Sequence, residues 1–117
     1  MRPEHLYLLD IVEAAGNVAL HMAGLDREGL LGNVTARAAV LHELTVIGEG
    51  AARLSEDFRT RHPEVPWAKI VAFRNFVVHE YFALDWSIVW DTATDLVPVL
   101  RHQVSAIVDA EFPDSAT

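Results

Sequence analysis

Apolar residues recur at every third or fourth position along most of this chain, which is the period of an amphipathic α-helix. In the first run these residues are Leu8, Ile11, Ala15, Val18, Met22 and Leu25. In the second run they are Val40, Leu44, Ile47, Ala51, Leu54 and Phe58. No stretch alternates apolar and polar residues cleanly enough to predict a β-strand. The period therefore predicts an all-α fold.

Turn and cap residues indicate where the first two helices end. Gly24 and Asp26 follow the first apolar run and mark its end. The second helix begins near Asp26 or Asn33, because either side chain can accept a hydrogen bond from the first turn. We expect this helix to continue until just before His62 and Pro63.

A proline and an aspartate indicate where the third and fourth helices begin. We predict the third helix over residues 67–82, since Pro66 is well placed just before a first turn. Asp85 can cap the fourth helix, and Pro98 should bend it because proline lacks an N–H and crowds the carbonyl of Thr94. The apolar face of the fourth helix is Trp86, Val89, Ala93, Leu96, Leu100, Val104 and Ile107.

Two glycines inside the second helix indicate how it packs against other helices. Gly48 and Gly50 weaken a helix, so we expect them where another helix approaches closely. The connections are short, and short connections favour antiparallel neighbours. With 117 residues, the chain fits one domain, residues 1–117, folded as an antiparallel bundle of four to five helices.

Composition narrows the classes of function. The net charge is −8, which disfavours general nucleic-acid binding, because such binding depends on Lys and Arg. Eight of the nine Lys and Arg residues are Arg, which suits a small local phosphate site. The chain has no cysteine, so disulfides and thiolate metal sites are excluded. With no long apolar run and no leader-like start, we expect a cytoplasmic protein without a membrane contact.

The stretch RNFVVHEYF, residues 74–82, concentrates polar groups among apolar ones. Asn75 and His79 are one helical turn apart and share a face. Arg74 and His79 are five residues apart, roughly 140° around the helix axis. Simple adjacency therefore cannot bring these two together, although arginine's length and a second copy of the chain could.

These residue types can support phosphoryl transfer to a neighbouring hydroxyl. Histidine can take a proton from a ribose 2′-OH or give one to a leaving oxygen. Arginine can hold the charge that develops on the phosphorus oxygens, and no metal ion is required. The alternative is a purely structural segment, in which Arg74 pairs with Glu80 or Asp85 and His79 is a core histidine.

Residues 74–82 resemble the signature of the HEPN superfamily, an Arg followed after four to six residues by a His. They are more similar to the HepT-like branch, with the pattern Arg, Asn, three residues, His, one residue, Tyr. The upstream stretch IGEGAARLSEDFRTRHPEVPW, residues 47–67, and the downstream stretch LDWSIVWDTATDLVPVL resemble that branch as well. The resemblance covers about residues 5–101.

The resemblance implies a HEPN-like bundle that forms a homodimer, with the Arg–His motifs of two chains lining one cleft. It implies a metal-independent endoribonuclease toxin that acts on RNA and needs no cofactor. Its partner would be an MNT-type nucleotidyltransferase antitoxin that attaches AMP to the motif tyrosine. By motif position, Arg74 and His79 are catalytic, Asn75 supports them, and Tyr81 is the modification site. The alternative is a non-catalytic nucleotide- or RNA-binding module that partners a nucleotidyltransferase.

The chain departs from this pattern at one place. Relatives often carry an Arg-Asn pair shortly before the Ile-Gly-Glu segment, where this chain has Leu41-His42-Glu43. His42 could supply a polar contact at the cleft or could be an ordinary exposed helix residue. Glu49 could hold Arg74 in the cleft or could be solvated.

Overall fold

Seven α-helices make up most of the fold in the computed structural model, which describes residues 2–115 and has no β-strand within them. The helices are α1 Glu4–Met22, α2 Arg27–Leu31, α3 Val34–Arg53, α4 Glu56–Arg61, α5 Trp67–His79, α6 Trp86–Asp91 and α7 Val97–Glu111. The predicted all-α class is confirmed. The four predicted helices correspond to α1, α3, α5 and the α6–α7 segment, and α2 and α4 are short additions.

Helix α3 lies at the centre, packed against α1 on one side and α5 on the other, while α1 also packs against α7. The apolar stripes predicted from the sequence form the core. Its largest fully buried side chains are Phe58, Leu8, Ile11, Leu30, Leu100, Val18, Val40, Val89 and Val104. Burial of such side chains contributes about 1.5–3 kcal/mol each, so the stripes determine which face of each helix points inward.

The second predicted helix is interrupted, which corrects the expectation of one helix through Phe58. Helix α3 ends at Arg53, and Ser55 caps the new helix α4 by accepting a hydrogen bond from the Phe58 N–H at 3.1 Å. Both proposed start residues are caps. Asp26 accepts from Gly29 N–H at 2.7 Å and begins α2, whereas Asn33 accepts from Ala36 N–H at 2.9 Å and begins α3.

The third predicted helix is shorter than expected. Helix α5 ends at His79 and a 3₁₀ turn covers Tyr81–Ala83, so the predicted end at Phe82 is wrong. Phe82 is fully exposed, and a further α-helical turn would bury no aromatic surface there. Asp85 caps α6 as predicted, accepting from the Ser87 N–H at 2.9 Å.

A π-helical turn lies just before Pro98, where the sequence predicts a bend. This turn, Thr92–Leu96, joins α6 to α7, and Pro98 lies in the first turn of α7. A missing N–H is tolerated in a first turn, so the chain stays helical from α6 to α7. No helix within residues 2–115 has both the length and the apolar character needed to cross a membrane.

Candidate functional site

Arg74 occupies the closest contact between α3 and α5. A Cβ atom added at Gly48 would lie 2.2 Å from the Cβ of Arg74 and 2.6 Å from its Cγ. No side chain fits in that space. A Cβ at Gly50 would similarly lie 2.9 Å from Cγ1 of Ile11 in α1. The prediction that both glycines permit close helix approach is confirmed.

The guanidinium of Arg74 has no protein partner within residues 2–115. Its Nε is buried and makes no hydrogen bond, and no carboxylate of this part of the chain forms an ion pair with it. Asp85 instead caps α6. The alternative in which Glu80 or Asp85 neutralises Arg74 is therefore wrong for the described residues.

Three other arginines, Arg2, Arg27 and Arg61, pair with a carboxylate. Arg61 donates to Glu111 at 3.2 Å, and this hydrogen bond raises the pKa of Arg61 above its ordinary value. Arg2 pairs with Asp10, whose hydrogen bond likewise raises the pKa of Arg2. Within residues 2–115, Arg37, Arg53, Arg59 and Arg101 also form no ion pair, but Arg74 alone among the arginines has a buried nitrogen without a hydrogen bond. A buried donor without a partner requires an explanation, and a ligand from outside the chain would provide one.

Asn75 and His79 lie on the outer face of α5. Both side chains are exposed, and so are Ala68 and Ala72 on the same face. His79 is therefore not a core histidine. Arg74 faces α3 instead, as the angle between the two positions predicts, and no hydrogen bond joins Arg74 to His79 in this chain.

Tyr81 follows in the 3₁₀ turn after α5. Its side chain is 49% exposed, and its ring meets the ring of Phe82 edge-on at 5.4 Å between centroids. On its other side it borders an open cavity of about 370 Å³ between α3 and the end of α5. The phenol is accessible to a macromolecule from outside.

The two residues left open by the sequence have different surroundings. His42 is exposed and lines the same cavity as Tyr81. Glu49 instead borders a polar pocket with Arg2 and Asp10 of the α1 end, and it makes no ion pair with Arg74. His42 is six residues before Gly48, roughly 120° away from it around α3, so helical spacing alone does not place His42 beside α5, and the end of α5 was not known from the sequence.

Glu43 is a buried charge that sequence reasoning passed over. It is the only charged residue in the buried core of the described chain, at 9% exposed. Its Oε2 lies 2.9 Å from Nε2 of His21 in α1. This pair links α1 to α3, since a buried carboxylate needs a partner. Within residues 2–115, no group of three or more His, Asp or Glu residues is placed to hold a metal ion.

Comparison with known proteins agrees with the pattern of residues 74–82. The family model described as "Ribonuclease HepT-like" matches residues 8–107. A protein named "Putative RNase" from Methanocaldococcus jannaschii is 33% identical over 86% of this chain and 93% of its own length. A protein named "Probable ribonuclease HepT" from Thermococcus cleftensis is 32% identical over 81% of this chain and 86% of its own length.

A further relative is a protein named "Putative RNase" from Caldanaerobacter subterraneus subsp. tengcongensis. It is 30% identical over 95% of this chain and 99% of its own length. No solved structure matches the chain significantly. The family predicted from the motif and its flanking segments is thus confirmed, and the chain belongs to the HepT-like ribonuclease family.

Proposed function

We propose that this protein is an endoribonuclease that cleaves RNA without a metal ion, with Arg74 and His79 as its catalytic residues and Asn75 as their support. The observation that carries the proposal is that the buried Nε of Arg74 has no hydrogen-bond partner. This arginine lies at the close contact between α3 and α5, and the chain belongs to a ribonuclease family. The names of the relatives, which describe RNases, support the substrate class.

The proposed reaction uses the ribose as its nucleophile. His79 removes the proton of a 2′-hydroxyl, the 2′-oxygen attacks the adjacent phosphorus, and the bond from phosphorus to the 5′-oxygen breaks. The products are a 2′,3′-cyclic phosphate and a 5′-hydroxyl, the latter protonated by a second acid. Arg74 stabilises the negative charge on the phosphorus oxygens, and Asn75, one turn from His79, orients the imidazole or the substrate.

A homodimer completes this site. In one chain His79 faces outward, whereas Arg74 faces α3. The exposed face of α5 carries the small residues Ala68 and Ala72 beside Asn75, which would let a second α5 approach closely. Phe76 flanks that face and is 45% exposed. Covering these apolar side chains is a driving force for association, and a two-fold axis near α5 would bring the two motifs into one cleft.

The biological role we propose is that of the toxin in a HEPN/MNT-type toxin–antitoxin pair. The antitoxin would be an MNT-type nucleotidyltransferase that attaches AMP to the phenol of Tyr81. The exposure of Tyr81 and its position in a short turn after α5 support this assignment. The added phosphate could pair with Arg74 and keep it from RNA.

The test is cleavage of RNA by the purified protein with a chelator present. His79→Ala and Arg74→Ala should each lower the rate by a factor of about 100 to 10,000, as expected for loss of an acid–base group or a charge-stabilising group. His102→Ala and Arg53→Ala are matched controls, since both residues are exposed on other helices. RNA binding without cleavage would instead support the non-catalytic binding module.

A further inference from the structure

The open cavity beside Tyr81 has the size and chemistry of a ligand site. Its volume of about 370 Å³ falls within the range of small-molecule pockets, roughly 300–1,000 Å³. Its lining residues are Ala38, Leu41, His42 and Thr45 of α3, Val77 and Val78 of α5, and Tyr81. It is thus mostly apolar, with an imidazole, a hydroxyl and a phenol at its edges.

The lining groups select a flat, neutral ligand. No carboxylate, guanidinium or ammonium group lines the cavity, so it has no permanently charged group to attract an ionic ligand. The Thr45 hydroxyl donates to the Leu41 carbonyl at 2.9 Å, which leaves its oxygen free to accept. His42 has no hydrogen bond or ion pair within residues 2–115. Aromatic and imidazole rings stack on bases, and single-stranded RNA presents such bases.

Arg74 does not line the cavity, but its contact with Gly48 lies about one helical turn from the cavity on both α3 and α5. Val78 follows Arg74 by one helical turn, and Thr45 precedes Gly48 by about one turn, so both helices lead from the Arg74 contact directly into the cavity. One turn corresponds to about 5.4 Å along a helix. A phosphate at Arg74 and a base in the cavity can therefore belong to adjacent parts of one nucleotide strand.

We infer that this cavity holds a nucleobase of the RNA strand next to the phosphate that Arg74 contacts, with His42 and Tyr81 as its aromatic partners. The inference rests on the proposed ribonuclease function and adds a substrate subsite to it. His42 is then a substrate-binding residue.

Binding of an RNA that cannot be cut tests the subsite separately from catalysis. The probe is a mixed-sequence oligonucleotide whose 2′-hydroxyls are replaced by fluorine, which removes the attacking group. We expect His42→Ala and Ala38→Phe to raise its Kd by roughly tenfold each, one by removing a partner of the base and the other by filling the cavity. His102→Ala should leave the Kd unchanged, and the helical circular dichroism should be the same for all three variants.

A second experiment compares binding of the oligonucleotide with binding of a mononucleotide, AMP. The imidazole resonances of His42 should shift when the oligonucleotide is added and shift far less with AMP at the same concentration, because AMP lacks the neighbouring phosphates. With cleavable RNA, His42→Ala should raise KM more than it lowers kcat.

Two results would overturn the subsite. One is oligonucleotide binding that neither His42→Ala nor Ala38→Phe weakens. The other is AMP that binds as tightly as the oligonucleotide, which would make the cavity a mononucleotide site. Neither result depends on cleavage. Failure of the nuclease proposal would appear separately, as RNA that stays intact with the wild-type protein.

Discussion

At Gly48 the structure has no room for a side chain. Any side chain there would overlap the stem of Arg74, since an added Cβ would come within 2.2 Å of it. We expect Gly48→Ala to force α3 and α5 apart, to lower the free energy of unfolding by roughly 1–3 kcal/mol, and to reduce RNA cleavage. Urea unfolding and a cleavage assay measure the two effects.

A second helical glycine is the control for this prediction. An added Cβ at Gly16 in α1 would meet only the guanidinium end of Arg101, at 3.1 Å, and that end can move. Gly16→Ala should therefore stabilise the protein by up to about 1 kcal/mol through helix propensity. Equal stability changes for the two variants would show that the contact at Gly48 is not tight.

The proposed modification at Tyr81 depends on its phenol oxygen. After co-expression with the cognate nucleotidyltransferase, intact-mass spectrometry should find added AMP on the wild type and none on Tyr81→Phe. The Phe variant should stay toxic in the presence of the partner, because it has no phenol to modify. Tyr7→Phe is the matched control and should be modified like the wild type. Neutralisation of the Tyr81→Phe variant would mean that inhibition occurs by complex formation alone.

At the scale of the helices, caps and apolar stripes were readable from the sequence because both depend on neighbours in the chain. Asn33, Asp26 and Asp85 all cap as their residue types predict. The end of α3 at Arg53 could not be predicted from the apolar pattern. Leu54 and Phe58 continue the apolar stripe and are buried, and one continuous helix would show the same pattern. Only the Ser55 cap distinguishes the two cases, and serine is common inside helices too.

The end of α5 was missed for a related reason, and it affects the site more. The helix was predicted to continue to Phe82, but α5 ends at His79, and Tyr81 and Phe82 are both exposed. The motif predicts the candidate site residues as a set. It does not predict their arrangement, because the cavity that brings His42 near Tyr81 depends on where α5 stops and on how α3 packs against it.

Asp85 offers a test of how the element after the motif is held. Its carboxylate accepts from Ser87 N–H at the start of α6. We expect Asp85→Ala to lower the free energy of unfolding by about 0.5–2 kcal/mol and to leave the cleavage rate near that of the wild type. Asp85→Asn keeps a good cap without the charge and should match the wild type in both. A loss of cleavage in Asp85→Asn would show that the charge acts on Arg74 after all.

At the scale of the whole molecule, the acidic net charge limits RNA binding to one small part of the surface. A protein of net charge −8 attracts RNA weakly over most of its surface, so binding must come from a few converging groups. One chain places Arg74 and His79 on different sides of α5. Two chains related by a two-fold axis near α5 would double the cations at one cleft, and they allow Arg74 of one chain to act with His79 of the other.

Subunit complementation tests that shared cleft. Arg74→Ala and His79→Ala chains carrying different affinity tags are co-expressed, and the heterodimer is isolated through both tags. One of its two sites then combines the intact Arg74 of one chain with the intact His79 of the other, whereas the second site lacks both. We expect about half of the wild-type cleavage rate per dimer, although each homodimeric variant is inactive. If Arg74 and His79 act from the same chain, both sites of the heterodimer are defective and no rate returns.

The exposed face of α5 supplies the control for this experiment. Ala72 is exposed there, so glutamate at this position disturbs no core residue, but two-fold symmetry would bring two such charges together. Ala72→Glu in both chains should yield monomers in sedimentation and abolish complementation, whereas Ala19→Glu on the exposed side of α1 should do neither. A heterodimer that persists with Ala72→Glu would place the axis away from this face. Arg74 and His79 would then have to meet through movement within one chain, and the close packing of Arg74 against Gly48 opposes such a movement.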